Sequence, residues 1–157
     1  MSAAIEFNVA DQVREIVGKV FSTLLAAPAV LMMDNDPLPE ERISGTIGIA
    51  GKNVTGAVYL HLPVSFACQA ACAMPEAAAG RHAGGHETNG AVGELCHQIA
   101  GALKSALCDA DHWCAVSTPS VIRGAFEVEV PPDLPVEKFY FLCLGQRLAL
   151  EVHLKFY

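Results

Sequence analysis

Charge is what this sequence has least of. Only 17% of its 157 residues are Asp, Glu, Lys or Arg, against 52% that are apolar, where a soluble domain usually carries about 25% charged residues. Ten Lys and Arg face seventeen Asp and Glu, for a formal net charge of −7. Basic residues this few and unclustered cannot displace counterions from a phosphate backbone, which excludes nucleic acid as a partner. They also make no polybasic patch for an anionic membrane surface. Long hydrophobic runs are missing too. The longest, Leu24 to Met33, is interrupted by Pro28 and falls well short of the roughly 20 residues of a bilayer span, so no membrane insertion is expected. Met1 to Phe7 has neither the basic region nor the apolar core of a signal peptide, which sets the expectation of a cytoplasmic protein. The apolar content excludes a disordered tail. It suits a single domain, residues 1–157, with apolar surface left for a partner or second subunit.

Several catalytic signatures are absent as well. The six cysteines, Cys68, Cys72, Cys96, Cys108, Cys114 and Cys143, contain no Cys-x-x-Cys pair, the spacing of redox and zinc-ribbon sites. They read as reduced thiols used as small core hydrophobes. His82 and His86 stand four apart, but Ala83-Gly84-Gly85 between them opposes the helix that would align them. Adding Cys96, His97, Cys108, His112 and Cys114 yields no closed zinc spacing. His86-Glu87 lacks the following Pro-Cys-x-x-Cys of a zinc deaminase. No Gly-x-Ser-x-Gly elbow and no glycine-rich loop ending in Lys-Ser/Thr occurs, so no metal or cofactor of the chain's own is expected. Trp113, the one tryptophan, reads as a core or interface residue rather than a base-stacking platform.

What is present is a clear alternation of periods. Val9, Val13, Ile16, Val17, Val20, Phe21, Leu24 and Leu25 predict a helix from about Asn8 to Ala27, capped by Asn8 and closed by Pro28. Met33 to Glu41 reads as a loop. Ile43 to Ile49 and Val54 to Leu62 predict a β-hairpin; Gly48 and Gly56 within it predict close backbone approach or a bulge. A short helix follows from Pro63 to Met74. The Ala-, Gly- and His-rich segment Glu76 to Asn89 is expected to be mobile around Gly84-Gly85. A long helix should run from Thr88 or Asn89 to Cys108. Two strands are expected at Cys114 to Ile122 and Ala125 to Val130, and a final hairpin at Phe139 to Leu144 and Arg147 to Phe156, turning at Gly145-Gln146. Strands joined mainly by hairpins predict an α+β fold, a mostly antiparallel sheet with helices packed on it.

The long helix carries the most information. At 100° per residue, Val92, Leu95, Cys96, Ile99, Leu103, Ala106 and Leu107 form one apolar stripe. Glu94, His97, Gly101, Lys104 and Cys108 fall on the opposite, outer face, with Glu94 and His97 three residues apart and therefore neighbours. Gln98 sits nearer the edge of that face. A glycine at position 101 costs about 1 kcal/mol relative to alanine, which is explained if something must approach the helix closely there.

The run Val92-Gly93-Glu94-Leu95-Cys96-His97-Gln98-Ile99-Ala100-Gly101-Ala102-Leu103-Lys104 resembles the signature helix of the CheC/CheX/FliY family of chemotaxis phosphatases, whose pattern is Glu-x-x-Asn, then Ile/Met-Ala-Gly and a Lys. Ser117-Thr118-Pro119-Ser120-Val121-Ile122-Arg123-Gly124 resembles the family's Ser/Thr-Pro-x-Val-Val-x-Gly strand. Ile47 to Gly51 and Gly56 to Leu60 resemble its early hairpin. A single signature helix is similar to the CheX branch. The resemblance implies a CheC-like fold, a homodimer, and removal of the phosphoryl group from the aspartate of a phosphorylated CheY-like response regulator, which supplies the Mg²⁺. It implies that Glu94 docks against a lysine of the regulator, that the residue at position 97 orients the attacking water, and that Gly101, Lys104 and Gln98 lie at the partner-binding surface. This is catalysis by positioning.

Position 97 departs from the pattern: it is His where the family has Asn. A neutral imidazole can accept from water, but its donor and acceptor sit on diverging ring atoms. Gln98 carries an amide and stands one residue on. Two alternatives follow. One is a catalytically impaired regulator-binding or scaffold module of the same fold; the other is a Cys/His metal or redox module.

Overall fold

The first helix opens where the sequence places its cap. The Asn8 side chain accepts a hydrogen bond from the Asp11 N–H at 3.1 Å, satisfying one of the unpaired donors of the first turn, and α1 runs Val9–Leu25 with Val13, Ile16, Val17, Val20, Phe21 and Leu25 buried. Ala26 leaves it in the left-handed conformation, φ 51°, two residues ahead of Pro28. The computed structural model describes residues 7–34, 36–74 and 87–157. After α1 come β1 (Val30–Met32), β2 (Arg42–Gly51), β3 (Val54–Pro63), α2 (Val64–Ala73), α3 (Glu87–Asp109), β4 (Cys114–Val116), β5 (Ser120–Arg123), β6 (Val136–Cys143) and β7 (Gln146–Phe156).

The strands form one sheet in the order β1-β6-β7-β3-β2, with β4 and β5 both on the outer edge of β2. Every pairing is antiparallel, so the expected α+β architecture holds. Alternation sorts the faces. Val54, Val58, Leu60 and Leu62 of β3 and Leu148, Leu150, Val152 and Leu154 of β7 join the core beneath the helices. Tyr59, His61, Glu151 and His153 occupy the intervening positions, on the second face. Gly56 is a close approach, as read: a β-carbon there would lie 1.7 Å from the His153 carbonyl oxygen. Gly48 is not crowded, the nearest atom to its would-be β-carbon being Ser117 Oγ at 3.8 Å, but it does stand at a bulge, opposite the extra residue between β4 and β5.

Three expectations are corrected. Cys114 to Ile122 is not one strand but two, because between the paired ends Ile47 and Gly48 of β2 face three residues, Ser117 to Pro119. The extra residue makes a bulge, and Ser117 bridges it: its N–H donates to the Gly48 carbonyl, and its Oγ accepts from the Gly48 N–H, both at 2.9 Å. Ala125 to Val130 is irregular. Its apolar alternation serves a loop that crosses the second face, where Phe126 packs on the His61 ring at 5.5 Å and receives the Arg42 guanidinium on its carbonyl. β1 lies inside a stretch with no strand period; its three residues are too few to show one. The final turn falls at Leu144-Gly145, one residue earlier than expected, with φ of 51° and 73°, the two-residue geometry that suits strand twist. The expected mobile segment lies outside the described residues up to His86, and with it His82 and His86.

Candidate functional site

The long helix is seated on β2 through a glycine. A β-carbon at Gly45 would stand 2.9 Å from the Cys96 β-carbon, so only the bare backbone lets α3 come this close. Above it the apolar stripe is buried as its period predicts: Val92, Leu95, Cys96, Ile99, Leu103 and Leu107. The start of α3 is gripped from the sheet. Arg123 of β5 donates from Nε to Asn89 Oδ1 at 3.0 Å and from its terminal nitrogen to Thr88 Oγ1 at 2.8 Å. In the sequence Arg123 is only part of a strand motif; nothing there shows its reach to the helix.

The structure separates the residues expected on the outer face. Glu94 is 2% exposed, not solvent-facing. The helical wheel assumes one wet side, but Gly90 to Cys96 are all buried. The Glu94 carboxylate accepts a hydrogen bond from Gln98 Nε2 at 3.0 Å. His97 and Gln98, the next residues on, are exposed. Both line a groove of about 470 Å³ between α3 and α1, together with Gly101 and Ser105 of α3 and Lys19 and Thr23 of α1. A β-carbon at Gly101 would meet nothing within 4 Å, so the notch expected there is open. Lys104 is not among the groove's residues. It sits on the other flank, where its charge acts on the Cys114 thiol.

The cysteines divide. Cys96 and Cys143 are buried, as core hydrophobes should be, but Cys68 and Cys72 are exposed on α2. Burial pushes the Cys96 thiol up to about 12 and raises those of Cys143 and, with help from Cys108, Cys114. Such thiols are poor nucleophiles and poor ligands. Among the described residues no three His, Cys, Asp or Glu side chains gather into a metal-sized group. Trp113 is 70% exposed, which removes it from the core and leaves the interface reading.

A second polar cluster lies on the other face of the sheet. Ser44 Oγ is 2.7 Å from His61 Nδ1; His61 Nε2 and His153 Nε2 stand 3.4 and 3.6 Å from Glu151 Oε2, and Lys138 Nζ 3.5 Å from Oε1. Burial raises the Glu151 carboxyl, but His61, Lys138 and His153 outweigh it and hold the group at about 2. The order Ser–His–Glu suggests a hydrolase, yet Ser44 is fully buried, so no substrate reaches it. In the sequence these residues are only the polar half of strand alternation.

Residues 43–152 match the family model described as chemotaxis phosphatase CheX. The fold is shared with chemotaxis protein CheX from Vibrio vulnificus (18% identity, TM-score 0.75, covering 99% of this chain and 100% of that one). It is shared with a CheC-like superfamily protein from Shewanella sp. PV-4 (19%, 0.76, 95% and 99%). It is shared, too, with a CheX–CheY–BeF3–Mg²⁺ complex from Borrelia burgdorferi (14%, 0.72, 94% and 98%). At these identities the likeness is one of fold. No curated protein matches the sequence significantly. Among the described residues no helix is long and apolar enough to cross a membrane. The family match covers β2 through most of β7 and takes in the whole of α3 and its groove-facing residues, and on that match the chain belongs to the chemotaxis phosphatase CheX family.

Proposed function

We propose that the chain removes the phosphoryl group from the aspartyl phosphate of a CheY-like response regulator, docking through α3 and its groove. The observation that carries this reading is the family match across a helix whose exposed turn, His97, Gln98 and Gly101, opens onto a groove. A CheX from Borrelia burgdorferi forms a complex with CheY, BeF3 and Mg²⁺, which supports a regulator of that kind as the partner here. In the reaction a water oxygen bonds to phosphorus while the bond from phosphorus to the aspartyl oxygen breaks. The electron pair stays on the regulator's carboxylate, and the proton lost by water leaves with inorganic phosphate. The regulator brings the acyl phosphate and Mg²⁺, and this chain brings alignment, a task that needs little covalent chemistry. A cytoplasmic homodimer belongs to the same reading: Val30, Val136 and Leu142 near the β1–β6 edge and Trp113 near β4 are exposed apolar groups of the kind an interface covers.

The test is decay of a phosphorylated CheY-like regulator with and without the protein. Acceleration that Glu94→Ala abolishes supports the phosphatase. One observation, histidine at position 97, favours a second reading, a module that binds the regulator without catalysis. Its signature is no acceleration by the native protein and activity appearing in His97→Asn. The Cys/His reading has less to stand on, with its thiols dispersed or raised by burial.

A further inference from the structure

We infer that Gln98, rather than His97, presents the group that orients the attacking water, and that Glu94 acts through Gln98 as its positioning residue. This rests on the phosphatase reading and assigns its chemistry within the groove.

The argument starts from what each group can donate. A carboxylate only accepts, so the amide nitrogen of Gln98 is the atom that faces Glu94, at 3.0 Å. The amide is planar, and its carbonyl oxygen therefore faces away from the buried acid, on an exposed residue that lines the groove. A carbonyl oxygen accepts a hydrogen bond from water and leaves the water lone pair free for phosphorus. A glutamine in such a place is a known solution for aligning a hydrolytic water. The bond that holds it is charge-assisted and involves a carboxylate only 2% exposed, where such bonds are strong. The amide is thus fixed before any partner arrives.

His97 has no comparable anchor. Among the described residues none pairs with its ring, and its two nitrogens diverge. Glu94 is 2% exposed, while the Gln98 amide that it holds belongs to an exposed residue. Gly101, three residues beyond Gln98 and so on the same side of the helix, keeps the space beside the amide open.

The experiment follows inorganic phosphate release from a CheY-like regulator phosphorylated by acetyl phosphate in Mg²⁺. It compares the native protein with Gln98→Ala, His97→Ala, Glu94→Ala and Glu94→Gln, with regulator binding measured in parallel and circular dichroism checking the fold. Gln98→Ala should cut the stimulated rate about a hundredfold, the cost of misplacing a reactant, with binding retained. His97→Ala should cost much less. Glu94→Gln still offers a carbonyl to Gln98 and should stay within about tenfold of native, since a neutral acceptor makes roughly half the bond. Glu94→Ala should fall as far as Gln98→Ala. Should Gln98→Ala keep the native rate while His97→Ala loses it, the assignment to Gln98 is overturned and the phosphatase reading stands. Should Glu94→Gln lose regulator binding, Glu94 is a docking charge and the positioning role is overturned. A native protein that accelerates nothing overturns both this inference and the phosphatase reading.

Discussion

Gly45 of β2 lies directly beneath Cys96 of α3, close enough that a β-carbon on the glycine would stand 2.9 Å from that of the cysteine and 3.3 Å from Cys96 Sγ and Val92 Cγ1. Gly45→Ala is therefore expected to push the helix off the sheet, at a cost of about 1–3 kcal/mol for overpacking. Denaturant unfolding measures that cost. Because the same helix carries Gln98 and His97, phosphate release should fall along with stability, which a purely local strain would not produce.

At Gly101 the expected sign is opposite. Nothing stands within 4 Å of a β-carbon there, so Gly101→Ala should stabilise the fold by up to about 1 kcal/mol, the helix-propensity difference. The added methyl occupies the notch beside the groove. Higher Tm together with weaker regulator binding is the expected pair of results; higher Tm with unchanged binding would show that the notch is not part of the docking surface.

Arg123→Ala removes two side-chain hydrogen bonds from the first turn of α3. The expected loss is about 1 kcal/mol, concentrated at that turn. Hydrogen exchange should show amides at the start of α3 opening faster while β6 and β7 keep their protection.

Glu151 gives the acid limb of stability a specific owner. Its folded value of about 2 lies below its ordinary 4.5. A carboxyl lowered on folding contributes stability in full above about 4.5, and that contribution is lost progressively as pH falls toward 2. Glu151→Gln should flatten the decline of unfolding free energy between those two pH values. A curve that keeps its slope would assign the acid limb to other carboxyls.

The thiols should separate in rate. Cys68 and Cys72 are exposed, whereas Cys96 is buried with its thiol pushed up to about 12. Titration of the native protein with a thiol-reactive disulfide at neutral pH should modify Cys68 and Cys72 first and leave Cys96 untouched until unfolding.

Much of this architecture is readable in the sequence because period and burial coincide. α1, α2, α3 and both long hairpins follow from spacing alone, and the apolar stripe of α3 is buried as its angles require. Errors arise where local pattern is not what decides. The strand at Cys114 to Ile122 breaks because Pro119 and the Ser117 bridge accommodate one residue too many, a mismatch visible only against β2. Ala125 to Val130 has the alternation of a strand, but β4 and β5, which it follows in the chain, already fill the outer side of β2. Glu94 is the instructive case. A wheel assigns one helix face to water, and it cannot know that Gly90 to Cys96 are buried on every side. Spacing alone therefore puts Glu94 and His97 side by side in solvent, whereas one is buried and the other lines a groove. The bond from Gln98 to Glu94 is four residues long in sequence and within reach of inspection, but its importance depends on that burial.

The clamp on α3 also bears on biosynthesis. The helix rests on β2, which the ribosome makes before it, but its first turn is held by Arg123, which is made after it. A nascent chain that has emerged only as far as Asp109 holds every groove residue and lacks the side chain that fixes where the helix begins. The start of α3 is thus fixed only after β5 has paired with β2. A regulator meeting the chain on the ribosome would find the residues present and the surface unfinished, so competence to bind should arrive as a late, abrupt event in synthesis rather than accumulate with length.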